Sequence, residues 1–114
     1  MESSVTQSLY AWGVGSNLQL GVKSDHLKGK SKHSMLPEKL FQSPHKGSIV
    51  DASAFTNYTV YCDSNGDVYG MGRNSRGRIL GDGGDIDHIG PTKIKGLTGI
   101  TKVSCGSNHT LCLN

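Results

Sequence analysis

The feature that most constrains this chain is that it repeats itself. The stretch LYAWGVGSNLQLG from Leu9 returns as VYGMGRNSRGRILG from Val68, with Tyr10 matching Tyr69 and Gly13 matching Gly72 at a separation of 59 residues. Leu20-Gly21 matches Leu80-Gly81 at 60, while Pro37 matches Pro91 and Leu40 matches Ile94 at 54. IVDASAFTNYTVYCD from Ile49 matches ITKVSCGSNHTLCLN from Ile100 at 51, and within it Ser53, Asn57 and Thr59 meet the identical Ser104, Asn108 and Thr110. Such a chain builds one supersecondary unit twice, and each unit buries its apolar face only against a neighbour. The separation drifts because the first copy has 15 residues, Val22 to Leu36, between its Leu-Gly and its Pro, where the second has nine, Asp82 to Gly90. Insertions of this kind collect in surface loops, whose backbones face water and need no fixed partners.

With 114 residues the chain amounts to one ordinary domain. Its 16 glycines are about twice the usual share and point to turns rather than long helices. Each copy offers four short strands: Leu9–Trp12 or Val68–Met71, a stretch after the proline near Glu38–Leu40 or Thr92–Lys95, Ile49–Ala54 or Ile100–Cys105, and Tyr58–Cys62 or His109–Leu113. Asn65-Gly66, between Cys62 and Val68, is a strong tight-turn signal. Four antiparallel strands in each repeat of roughly 50 to 60 residues describe a propeller blade. The expectation is an all-β chain of two tandem four-stranded antiparallel blades in an incomplete ring. Residues 1–8 form an N-terminal arm, 9–66 the first repeat and 67–114 the second.

The order aromatic, Trp-Gly, Leu-Gly, Pro, Ile and Asn-His-Thr resembles the regulator-of-chromosome-condensation repeat. It reads Tyr10-Ala11-Trp12-Gly13, Leu20-Gly21, Pro37, Ile49 and Asn57-Tyr58-Thr59 in the first copy. The second gives Tyr69-Gly70-Met71-Gly72, Leu80-Gly81, Pro91, Ile100 and Cys105-Gly106-Ser107-Asn108-His109-Thr110. Met71 departs from the usual tryptophan, Phe55 from the glycine kept at Gly106, and Tyr58 from the histidine kept at His109. Phe55 matters most, because a glycine there often serves a backbone shape that Phe adopts poorly, and a local distortion of the first blade is expected. The resemblance also implies that His109 is structural, its ring satisfying backbone groups inside the blade.

Charge is concentrated. Between Val22 and Gly47 stand six lysines, including Lys23, Lys28, Lys30 and Lys32, against Asp25 and Glu38, which leaves +4 in that stretch alone. Those four lysines, with Arg73, Arg76 and Arg78 of the second copy, are the candidate partner-binding residues, suited to carboxylates or phosphates. Asp82, Asp85 and Asp87 cluster beside Gly83 and Gly84, but their spacing is not that of an EF-hand and the terminal glutamate is missing. Gly13-Val14-Gly15-Ser16 lacks both the GxGxxG spacing and the Walker lysine, so it reads as a turn. Cys62, Cys105 and Cys112 form no CxxC pair and read as small buried hydrophobes. No catalytic, cofactor or metal residue is expected. Met1–Leu9 has no apolar signal core, and no apolar run nears the roughly 18 residues of a membrane span. An intracellular protein, nuclear or cytoplasmic, is therefore expected, with the sequons at Asn57 and Asn108 unused.

The resemblance implies a binding module rather than an enzyme. Family propellers close seven blades and bind proteins on their faces, and the founding member exchanges nucleotide on the small GTPase Ran while docking on chromatin. Nothing in this sequence marks an exchange wedge. The expectation is a protein-interaction segment, the N-terminal part of a guanine-nucleotide exchange factor for a Ran-type small GTPase. The alternatives are a regulatory propeller attached to a ubiquitin ligase or kinase, and chromatin or nucleic-acid docking through the basic loop. Two blades leave edges and apolar faces uncovered, so further blades or self-association are expected.

Overall fold

Short apolar and aromatic runs broken by glycine, asparagine and proline leave the backbone little choice but brief strands and tight turns. The computed structural model describes residues 9–14, 19–20, 33–39, 47–74, 80–81, 83–84 and 86–114. Eight strands run through them: β1 Tyr10–Val14, β2 His33–Lys39, β3 Ile49–Phe55, β4 Tyr58–Asp63, β5 Val68–Gly72, β6 His88–Lys93, β7 Lys102–Cys105 and β8 Thr110–Leu113. Every pairing is antiparallel, as the sequence leads one to expect. Among the described residues no helix is long and apolar enough to cross a membrane.

The strand registers reproduce the repeat residue by residue. Tyr10 pairs with Lys39 and Tyr69 with Lys93; Gly13 pairs with Ser34 and Gly72 with His88. Both pairs are bulged at the same place, between Ala11 and Gly13 and between Gly70 and Gly72, and the two second glycines share a φ of 109° and 108°. In the hairpins, Ser53 pairs with Val60 as Ser104 pairs with Leu111, and Ala54 with Thr59 as Cys105 with Thr110.

The grouping of these strands differs from two four-stranded blades. The sheets are β1-β2, β3-β4-β5-β6 and β7-β8, so the central sheet takes two strands from each copy. The reason lies in the connections. β4 and β5 are joined by the tight Asn65-Gly66 turn, which makes them neighbours across the boundary between the copies, whereas β2 to β3 and β6 to β7 pass from one sheet to the next. Gly66 sits at φ 83°, the left-handed region such a turn needs, with the backbone of Gly99 immediately beside it. Asp63 secures the same turn: its Oδ1 accepts the N–H of Asn65 at 3.0 Å and of Asp67 at 3.1 Å.

A second difference concerns the prolines. The strand expected after each proline runs through it, with Pro37 inside β2 and Pro91 inside β6. Both are edge strands of their sheets, where an amide that cannot donate forfeits no ladder bond. β2 also absorbs His33–Leu36, the end of the expected insertion.

The core sits on both faces of the central sheet. On one face Tyr58, Val60, Cys62 and Val68 pack with Leu80, Ile94, Ile100 and Val103, joined by Cys105 and Cys112 from the β7-β8 hairpin. On the other, Tyr61, Tyr69 and Met71 pack with Leu9, Ala11 and Ile49. Tyr61 and Tyr69 stack with ring centroids 5.1 Å apart. Burying each aliphatic side chain in such a layer contributes roughly 1.5–3 kcal/mol, which makes sheet-on-sheet stacking the main source of stability.

Candidate functional site

The polar residues of the repeat are spent on holding one sheet to the next. From the central sheet, Asp51 Oδ2 accepts the N–H of Val103 at 2.9 Å and Ser53 Oγ accepts that of Cys105 at 3.0 Å. The Cys105 thiol donates back to the Ser53 carbonyl at 3.3 Å. The Tyr58 hydroxyl lies between the carbonyls of Gly106, at 2.8 Å, and His109, and accepts from Thr110 at 3.3 Å. Sequence reasoning gave Asp51 and Ser53 no role; the identity of Ser53 and Ser104 across the copies was the available signal.

His109 and Phe55 depart from expectation. The His109 ring is exposed and lies against Gly106, where any Cβ would collide with it. Among the described residues it makes no hydrogen bond inside a blade; its counterpart Tyr58 does so, reaching into the neighbouring sheet. The φ of Gly106 is not among the positive ones, so glycine there makes room for the ring rather than for a special backbone. In the first copy Tyr58 points across the sheets, Phe55 is free to carry its side chain, and the β3-β4 hairpin, bulged between Ile49 and Asp51, keeps a regular register from Asp51 and Cys62 to Phe55 and Tyr58.

Of the sequence-predicted contact residues, Arg73 lies among the described residues. Lys23, Lys28, Lys30, Lys32, Arg76 and Arg78 lie outside the described residues. Arg73 is half-buried just beyond β5, its N–H donating to the Asn57 carbonyl at 2.8 Å. Asp82 and Asp85 also lie outside. Asp87 accepts the N–H of the buried Asn74 at 2.7 Å, and Asn74 in turn accepts from Leu80 at 3.0 Å, which explains Asp87 structurally. Among the described residues no three His, Cys, Asp or Glu side chains group to hold a metal ion. Burial raises all three thiols above their ordinary range, opposite to what a nucleophilic cysteine needs.

What the fold does build is an open apolar groove of about 510 Å³ between β1 and the outer face of β3. Tyr10 and Trp12 lie along one wall, with Ala52, Ala54, Phe55 and Met71 among the other lining residues. Its polar groups are already engaged: Gln19 Nε2 donates to the Thr56 carbonyl and the Thr59 hydroxyl to the Gln19 carbonyl, both at 2.8 Å. Trp12, Tyr10 and Phe55 are 60%, 54% and 45% exposed. Aromatic side chains grouped on an apolar surface are suited to contact with another protein, not to covalent chemistry.

Comparison with known proteins agrees with this architecture. The chain is 31% identical over 106 residues to the human E3 ubiquitin-protein ligase HERC2, covering 91% of this chain and 2% of the ligase. It is 32% identical over 103 residues to the human regulator of chromosome condensation, covering 88% and 23%. Prp20p from Saccharomyces cerevisiae, whose structure was described with its binding properties to Gsp1p and histones, superposes at a TM-score of 0.76 and 26% identity, over 92% of this chain and 26% of that one. Human WBSCR16, at 21% identity and TM-score 0.74 over 98% and 31%, shares the fold. The chain thus spans less than a third of each of these proteins. The model of the Regulator of chromosome condensation (RCC1) repeat matches residues 8–62 and again 65–113. With both copies matched and their registers superimposable, this chain belongs to the regulator-of-chromosome-condensation repeat family, as a partial segment of its β-propeller.

Proposed function

We propose that this chain is a protein-binding propeller segment, and that in a complete ring it forms part of a docking platform for a small GTPase of the Ran type. The observation that carries the reading is the likeness to Prp20p, a protein described with its binding to Gsp1p. The exposed aromatic groove and the engaged, inward-facing polar groups support a surface that recognises rather than transforms. Lys23, Lys28, Lys30, Lys32, Arg73, Arg76 and Arg78 are the proposed contacts to partner carboxylates or phosphates. Such a partner places the protein inside the cell, in nucleus or cytoplasm.

The test measures release of labelled GDP from a Ran-type GTPase, and calorimetric binding of that GTPase, using the chain within a complete ring. Saturable binding that weakens when Arg73, Arg76 and Arg78 are neutralised, together with faster GDP release, is the expected result. A ring that neither binds the GTPase nor speeds release rejects the reading. The 31% identity to HERC2 favours one second reading, a regulatory propeller of a ubiquitin ligase. That reading expects no GTPase dependence and capture of the ligase's protein substrates instead.

A further inference from the structure

Beside β6, an edge strand of the central sheet, a pocket of about 300 Å³ is lined by Gly81, His88, Thr92, Lys93 and Lys95. Two lysines, an imidazole and a hydroxyl line it, and no carboxylate does. The backbone holds them in place. His88 opens β6 opposite Gly72, and Lys93 stands opposite Tyr69. Ile94 anchors the end of the strand: its side chain is buried in the core, and its N–H donates to the Val68 carbonyl at 2.8 Å. The lysines on either side of it are exposed. All five lining residues fall between Gly81 and Lys95, clear of either end of the chain. The repeat does not account for this charge. In the first copy the matching positions are Gly21, Ser34, Glu38, Lys39 and Phe41, so a lysine stands beside a glutamate and an aromatic ring replaces the second cation. The strand pairing is the same in both copies, Gly13 with Ser34 as Gly72 with His88, and Tyr10 with Lys39 as Tyr69 with Lys93. Either set of side chains satisfies the fold; the cationic set adds a capacity to bind.

We infer that this pocket binds a phosphate monoester dianion. Ammonium groups are compact point charges that suit a tetrahedral dianion, whereas a planar carboxylate is better met by an arginine fork. Lys93 and Lys95 supply the charge, and Thr92 and His88 supply directional hydrogen bonds from the strand. Two of these groups hold partners that are easily exchanged. Lys93 Nζ lies 3.4 Å from Asp67 Oδ1 with its side chain 54% exposed, and exposed pairs of this kind are weak. The Thr92 hydroxyl donates to the Gly90 carbonyl at 3.2 Å, which is long for a hydroxyl. Asp87, next to His88 in the chain, spends its carboxylate on the N–H of Asn74 at 2.7 Å. The volume is at the small end of ligand pockets and suits a phosphate group with the few atoms that carry it, whether a phosphorylated serine or a free phosphate. None of the five residues is among the GTPase contacts proposed above, so the two readings stand or fall separately.

Amide chemical-shift titrations of the chain test this with inorganic phosphate, the peptide Gly-Gly-phosphoserine-Gly-Gly, the same peptide carrying plain serine, and a DNA duplex. Saturable shifts centred on His88 to Lys95 are expected with inorganic phosphate and the phosphopeptide, at roughly millimolar concentrations, and not with the serine peptide. Tighter binding of the phosphopeptide than of inorganic phosphate identifies a modified protein as the source of the group; equal binding identifies a free phosphate. Lys93→Gln/Lys95→Gln changes only exposed positions, so it is expected to keep the circular dichroism of the parent while both affinities fall by about tenfold or more. Thr92→Glu/Lys95→Phe, which gives this strand the side chains of the first copy, is expected to abolish the shifts. The inference is overturned if neither phosphate probe saturates, if the shifts spread over lysines elsewhere, or if they survive in both variants. A DNA duplex that binds at this pocket more tightly than the phosphopeptide also overturns it, because the ligand is then a phosphodiester backbone.

Discussion

Tyr58 occupies the repeat position held by His109 in the second copy, and the exchange is functional. Its longer side chain carries a hydroxyl across the gap between sheets to the carbonyls of Gly106 and His109. Tyr58→Phe removes these part-buried hydrogen bonds and is expected to destabilise the chain by about 1 kcal/mol in urea unfolding. A residue that looks like a departure from the repeat is thus one of its inter-sheet fasteners. The sequence could not announce this, because the partner atoms are backbone carbonyls 48 and 51 residues away. A second prediction concerns alkali. Burial, followed by the charge of Asp63 and the hydrogen bond to its Oδ2 at 3.2 Å, pushes the Tyr69 phenol up to about 12 from its ordinary 10.0. Tyr61, stacked on it, is raised as well, chiefly by burial. The folded chain therefore holds these protons more tightly than the unfolded one. Their contribution is complete below pH 10 and is lost as pH rises towards about 12. The urea midpoint should fall across that window, and Tyr69→Phe should flatten part of the fall.

At the scale of elements, the β4-β5 hairpin is what turns two sequence copies into a continuous sheet. Gly66 carries φ 83°, and a Cβ there would lie 2.5 Å from the Gly99 nitrogen and 2.7 Å from its Cα. Gly66→Ala combines left-handed strain with a backbone collision and is expected to cost at least about 2 kcal/mol, read from thermal unfolding. The strands, the Asn65-Gly66 turn and the correspondence of Tyr10 with Tyr69 are legible in the sequence, because turn chemistry and alternating apolar residues are local signals. Two things were not. The strands through Pro37 and Pro91 were displaced in the reading because proline usually ends a strand, and only their place at a sheet edge removes the penalty. The division into sheets was also hidden. A repeat can be cut from the sequence at any point of its period, and here one sheet runs across the boundary between the copies. For the same reason the groove was invisible: it is lined from β1, β3 and β5, which the sequence places in different copies.

The whole molecule behaves as a short one-dimensional array in which a residue's energy depends on its place in the stack as much as on its type. Tyr10 and Tyr69 provide the cleanest comparison. They are the same residue at the same repeat position, each paired with a lysine on its neighbouring strand, Lys39 and Lys93. Tyr69 is 2% exposed because Tyr61 stacks on it and Leu9 and Ala11 pack on that face; Tyr10 is 54% exposed, and among the described residues no such layer covers it. Tyr69→Ala removes a ring from a closed layer and is expected to destabilise by about 3–5 kcal/mol, the range for deleting a large buried aromatic side chain. Tyr10→Ala, measured by urea unfolding at low concentration, is expected to cost less than about 1 kcal/mol, as a surface substitution does. Equal penalties at low concentration would mean that Tyr10 is covered within a single copy, contrary to its exposure.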